Sequence, residues 1–187
     1  MADVDLDCPE ALALADRLMP ATDCVFGRES TPRSHRLYRV NGSVSVKRYS
    51  VGGEGTIVEL RGNGGQTMLP GSVHPSGEMV AFAEDDDPAE LDAEQLQHHV
   101  GQIAAACLLV RQWQKGARHN LTMHLAGWML RQEATVDQVK AFIAAIAEAA
   151  GDEERDQRLT SVQTTHAKLV AGEAVTGFPS LAEIIGR

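Results

Sequence analysis

The chain has 187 residues, of which 43% are hydrophobic, 23% charged and 4% aromatic, with a formal net charge of -9 at pH 7. Such a composition suits a globular protein with one or two cores of Ala, Leu, Val and Ile. The acidic balance excludes a protein that coats nucleic acid by charge alone, though not a focused cationic cleft. Cys8, Cys24 and Cys107 are widely spaced with no CxxC pair, which argues against a disulfide framework or a zinc knuckle.

The first residues, Asp3-Val-Asp-Leu-Asp7, alternate acid and apolar side chains. The period of two predicts a short strand with its carboxylates on one face. Asp5 and Asp7 would then project side by side, as two ligands for one divalent cation do. Helix capping and solvation at the chain start would account for the same aspartates. A helix is expected at once: Pro9 suits its first turn, Leu12, Leu14, Ala15 and Leu18 form its apolar side, and Pro20 stops it. Residues 22–31 read as a loop with an apolar patch at Cys24-Val-Phe26.

Two strands, Ser34 to Val40 and Ser43 to Val51, are predicted as a hairpin joined by Asn41-Gly42. The first of them is the middle of a cationic island. Between positions 28 and 48 lie Arg28, Arg33, Arg36, Arg39, Lys47 and Arg48 against the single acid Glu29, with His35 among them. A histidine on a cationic strand suits the phosphates of a nucleotide or nucleic acid. A turn at Gly52-Gly-Glu-Gly55 leads to a strand from Thr56 to Leu60, which carries Glu59. Such an acid needs a partner or a metal if its face is buried, and nothing if that face is solvated. Gly62-Asn-Gly-Gly65 lacks the Gly-Lys-Ser/Thr of a phosphate-binding loop. A tight turn around His74 and a strand from Met79 to Ala83 are expected to complete the sheet.

The run Glu84-Asp-Asp-Asp-Pro-Ala-Glu90 reads as a linker, dividing the chain into domains 1–88 and 89–187. Beyond it everything reads helical. Leu96, Val100, Ile103, Cys107 and Val110 mark one face of a long helix ended by Gly116. A second helix is expected over Arg118–Arg131, with Leu121, Leu125, Trp128 and Met129 inward. Thr135-x-x-Gln138 forms a capping box for a third. A fourth should span about 153–171, and a short one 180–185. His98, His99, His119 and His124 lack metal-ligand spacing and read as solvated or core-edge residues. Arg118 and His119, at a helix start, are candidate phosphate contacts. The fold class expected is therefore α+β: a small antiparallel-rich sheet with a helix, then an α-helical bundle.

These residues also resemble a known family. Val4-Asp5-Leu6-Asp7, Arg33-Ser34-His35, Val58-Glu59 followed by Arg61-Gly62, and Leu69-Pro-Gly-Ser-Val-His-Pro-Ser-Gly77 are similar to the bifunctional DNA primase/polymerases of the archaeo-eukaryotic primase superfamily. The segment from Ala117 to Glu183 resembles the primase C-terminal helical domain. The resemblance implies template-directed nucleotidyl transfer at a two-metal site. Asp5, Asp7 and Glu59 would hold Mg²⁺ or Mn²⁺. His35, with Arg33, Ser34 or Arg36, would bind the incoming nucleoside triphosphate. Arg28, Arg39, Arg61, His74, Arg118 and His119 are candidate phosphate or template contacts. The implied setting is replication of a phage, plasmid or integrated element, with a single-stranded DNA template and a helicase as partners. The cytoplasm, without a membrane, is expected separately, from the odd number of widely spaced cysteines, the lack of a membrane-length apolar stretch and the acidic first residues. Family members carry an α/β segment ahead of the Asp-x-Asp strand, so a partial catalytic module is expected here, with that strand at an exposed sheet edge. The alternative is a non-catalytic replication module that binds single-stranded DNA or a helicase.

Overall fold

The computed structural model describes residues 1–53 and 55–185, the last two by their backbone alone. Glu54, in the expected glycine turn, lies outside the described residues. The chain divides into two compact units, residues 1–105 and 106–187.

In the first unit, seven strands form one sheet: β1 (Ala2–Leu6), β2 (Cys24–Arg28), β3 (Thr31–Asn41), β4 (Lys47–Val51), β5 (Gly55–Arg61), β6 (Val80–Asp85) and β7 (Ala89–Asp92). The order is β4-β5-β1-β3-β2-β6, with β7 pairing β3 in parallel and the other pairs antiparallel. The α+β class expected from the alternation is therefore the one observed. Helix α1 (Pro9–Leu18) follows β1, with Pro9 in its first turn and Ala11, Leu14, Ala15 and Leu18 buried. Val4, Leu6, Tyr38, Val58 and Leu60 are fully buried or nearly so. The Tyr38 hydroxyl donates to the Pro20 carbonyl at 2.8 Å, tying β3 to the end of the α1 segment. His99 Nδ1 similarly bonds the Leu18 carbonyl at 2.9 Å.

Four local expectations are corrected. The aspartate strand is not an edge: β1 pairs with β3 on one side and β5 on the other. Later strands of the same chain return to flank it. Asn41-Gly42 does not make a hairpin, because β4 pairs with β5 and both β5 and β1 separate it from β3. Gly42 does adopt φ of 101°, the left-handed conformation that glycine tolerates, but the chain turns there to cross the sheet. Residues 24–28 are a strand and not a loop, paired with β3 and β6 and carrying a register irregularity. Likewise the acidic run is not a free linker: Glu84 and Asp85 end β6, and Ala89 and Glu90 begin β7, a short strand, before the helices.

Helix α2 (Ala93–Gln112) contains the division between the units. The second unit is helical: α3 (Arg118–Arg131), α4 (Val136–Ala149), α5 (Arg155–Val170) and α6 (Phe178–Ile185). The capping box forms as expected. Gln138 N donates to Thr135 Oγ1 at 3.2 Å, and Thr135 N to Gln138 Oε1 at 2.9 Å. A buried carboxylate, Asp152, joins three segments. It accepts from Trp113 Nε1 at 2.9 Å and Arg158 Nε at 3.0 Å, and pairs with Arg118 Nη1 at 2.9 Å. No helix among the described residues is long and apolar enough to cross a membrane.

Candidate active site

Residues directly opposite on neighbouring antiparallel strands project to the same face. The register of this sheet places six such residues in one row across six strands. Arg48 opposes Glu59, Glu59 opposes Asp5, Asp5 opposes His35, His35 opposes Phe26, and Phe26 opposes Phe82. A parallel row holds Arg61, Asp3 and Leu37. A slip of one residue in β1 would turn all its acids to the other face. Convergence of the acids with the imidazole is thus a consequence of register.

Asp5, Asp7 and Glu59 each offer an oxygen within 4.8 Å of the others. Asp7 continues the β1–β5 ladder, its N–H donating to the Ile57 carbonyl at 3.0 Å. Three carboxylates at this spacing are a hard-oxygen donor set that could hold a metal ion. Asp5 and Glu59 are buried and Asp7 is exposed. Burial pushes the Asp5 carboxyl above its ordinary range despite His35 and Arg61. Although Asp7 is open to solvent at its surface, the partial desolvation of its carboxyl against the cleft, with the Asp5 charge next in weight, pushes it up to about 6. Burial also opposes ionisation of Glu59, but hydrogen bonds from Arg61 and Arg48 outweigh it and lower its pKa. Those bonds run from Arg48 Nη2 to Oε1 at 2.8 Å and from Arg61 Nε and Nη2 to Oε2 at 3.0 and 2.9 Å.

His35 is fixed on three sides. Its ring stacks on Phe26 with centroids 4.7 Å apart and planes within 3°. Its Nδ1 lies 3.0 Å from Asp3 Oδ2, while Nε2 lies 3.6 Å from Asp5 Oδ1. Asp3 is itself held by Thr67 Oγ1, which donates at 2.8 Å. Burial opposes the charged imidazolium, yet the hydrogen bond and charge of Asp3, with Asp5, raise the His35 pKa above its ordinary value. With Asp3 behind Nδ1 and Asp5 near Nε2, the ring lines the cleft as an imidazolium, a charge suited to an anionic ligand.

The cleft has a volume of about 780 Å³ and is lined by Asp5, Asp7, His35, Arg61, Arg28, Ser34 and His74, among others. Arg28 Nη1 contacts Glu78 Oε2 at 3.4 Å and His74 Nδ1 at 3.5 Å. The structure therefore brings together Asp5, Asp7, Glu59, His35 and Arg61, with Arg28, Ser34 and His74 on the same cleft.

Other sequence candidates lie elsewhere. Arg36 opposes Val4 and Val25, on the face away from His35, and pairs with Asp16 of α1. Arg33 binds Glu84 at 2.5 Å, and Arg39 binds Asp87 at 2.6 Å. Arg118 belongs to the helical unit, where Asp152, Glu153 and Glu154 hold its guanidinium; His119 there is exposed. Asp3, Thr67, Arg48 and Phe26 were not expected at the site. Asp3 alone left a signal, since it shares the alternation of Asp5.

No curated protein and no solved structure matches the chain. A family model does match, described as bifunctional DNA primase/polymerase, N-terminal, over residues 1–94. That span contains every residue of the cross-sheet row and the whole lining of the cleft. The chain belongs to the bifunctional DNA primase/polymerase family, and its role is of the DNA primase/polymerase type.

Proposed function

We propose that the protein carries out template-directed nucleotidyl transfer on single-stranded DNA, with Asp5, Asp7 and Glu59 as ligands of Mg²⁺ or Mn²⁺. The observation that carries this reading is the register row in which Glu59, Asp5 and His35 occupy adjacent strands on one face. When bound there, the ions would activate a 3′-hydroxyl and neutralise charge on the triphosphate. His35 donates from Nε2 to a phosphate oxygen of the incoming nucleotide. Asp3 orients the ring through Nδ1 and keeps it charged, and Thr67 holds Asp3 in place. Arg28, on the cleft wall, adds a guanidinium suited to phosphate oxygens. A cleft of about 780 Å³ is of a size to take a nucleotide.

On this reading the sheet unit is a catalytic module of the archaeo-eukaryotic primase type. The helical unit serves as a primase C-terminal domain that engages the template, and a replicative helicase is its partner. The setting is replication of a phage, plasmid or integrated element. The test is synthesis of a labelled strand on a single-stranded template with Mg²⁺ or Mn²⁺. Asp5→Ala, Asp7→Ala and His35→Ala should each abolish synthesis while leaving the fold intact. Unchanged synthesis in those variants would remove the site assignment. DNA binding without any synthesis would leave a non-catalytic replication module.

A further inference from the structure

Arg61 occupies the space between the acids. Its Nη2 lies 2.5 Å from Asp5 Oδ2 and 2.9 Å from Glu59 Oε2. Its Nε lies 3.0 Å from the same Glu59 oxygen, and its Nη1 3.8 Å from Asp3 Oδ2. A single nitrogen therefore bridges the two buried members of the metal-ligand set. A divalent cation shared by Asp5 and Glu59 needs an oxygen of each carboxylate at roughly 2 Å. An ion between the two oxygens that flank Nη2 would sit against the guanidinium, with charges of the same sign in contact and Glu59 Oε2 already accepting from both Nε and Nη2.

We infer that Arg61 is a resident cation: it holds the metal-free acids together and must withdraw before a divalent ion can enter. This rests on the metal-site reading proposed above and adds a residue that sets the affinity of that site. Two features make withdrawal feasible. The Arg61 side chain is 21% exposed and lines the cleft, so the guanidinium has a polar space to move into. Glu59 keeps its orientation when Arg61 leaves, because Arg48 holds its other oxygen at 2.8 Å. In the cleft the freed guanidinium meets the space assigned to the triphosphate, whose oxygens replace the carboxylates it gives up. Metal entry and phosphate binding then favour the same Arg61 position and strengthen each other.

The experiment is Mn²⁺ binding to the full chain without nucleotide, read from the electron paramagnetic resonance signal of the free ion. Arg61→Gln should bind Mn²⁺ more tightly than wild type, by roughly 5- to 150-fold, the range of ordinary coupling between two ligands. Arg48→Gln removes an equal charge from the other Glu59 oxygen and should change the affinity far less. If Arg61→Gln does not fold, the wild-type protein carries the test: the Arg61 Nε–Hε nuclear magnetic resonance signal should shift saturably on titration with Mg²⁺. Equal or weaker Mn²⁺ affinity in Arg61→Gln, an equal gain in Arg48→Gln, or an Nε signal indifferent to saturating Mg²⁺ overturns the displacement and leaves the metal site standing. Absence of Mn²⁺ binding in wild type and variants alike overturns both.

Discussion

Replacing Asp3 with Asn separates the charge behind His35 from the shape of the site. Asp3 accepts from His35 Nδ1 at 3.0 Å and from Thr67 Oγ1 at 2.8 Å, and it is buried. Both donors meet the same oxygen, Oδ2, so an asparagine with its carbonyl there still accepts from both, and what the substitution removes is the negative charge. A hydrogen bond to a charged group contributes about 1.5–3 kcal/mol, so Asp3→Asn should cost the sheet unit about that much near pH 6. The cost depends on pH. Because the folded His35 pKa is raised above 6.5, the stability that pairing adds is fully present below pH 6.5. It is lost as pH rises through the folded value. The gap between wild type and variant should therefore narrow from pH 6 to pH 9. Tryptophan fluorescence would miss this, since Trp113 and Trp128 both belong to the helical unit. Hydrogen exchange of the β1 and β3 amides in metal-free buffer reads the sheet directly. A gap that is constant with pH, or widens as pH rises, would refute the claim that Asp3 holds His35 in its charged form.

Two further substitutions probe the frame. Asp152→Ala removes the acceptor of Trp113, Arg118 and Arg158 and leaves buried guanidinium groups underpaired. It should destabilise the helical unit by about 3–5 kcal/mol, with Trp113 emission shifting to the red in a urea titration. Burial opposes ionisation of Asp152, but bonds from Arg158, the Glu154 N–H and Trp113 hold its pKa below 3.8. Its contribution should thus persist above pH 3.8 and fade as the pH falls below that. Gly27→Ala would put a Cβ 2.0 Å from the Thr31 carbonyl oxygen and 2.9 Å from Ser34 Oγ. Overpacking against backbone costs about 1–3 kcal/mol, so thermal unfolding should fall and nucleotide affinity with it, since Gly27 lines the cleft.

Elements written in local pattern were legible from the sequence. β1 followed from the alternation of Asp3 to Asp7, α1 from Pro9 and its apolar spacing, and α4 from the Thr135–Gln138 box. The bounds of α3 agree with expectation at both ends. Pairings between distant segments were not legible. Asn41-Gly42 is a sound local turn signal, but it carries no information that β1 and β5 will insert between the strands it joins. β2 was missed because Gly27 interrupts its apolar run; the need for glycine there comes from the close approach of Thr31 and Ser34. The grouping of Asp5, Asp7, Glu59 and His35 was suggested by residue type and order. Of the residues that position them, Asp3 was hinted at by its alternation with Asp5, while the places of Thr67, Arg48 and Phe26 depend on register and were silent. Arg36 was misplaced although the alternation of β3 already puts it on the face opposite His35.

The central claim is that Asp5, Asp7 and Glu59 hold a divalent ion beside His35. Anomalous diffraction from a crystal of the protein soaked in Mn²⁺ tests it most directly. The account predicts a Mn²⁺ peak within bonding distance of all three carboxylates, with Arg61 withdrawn from between Asp5 and Glu59. A site without a peak at saturating Mn²⁺, or an ion bound elsewhere while Arg61 still bridges those two acids, would contradict it.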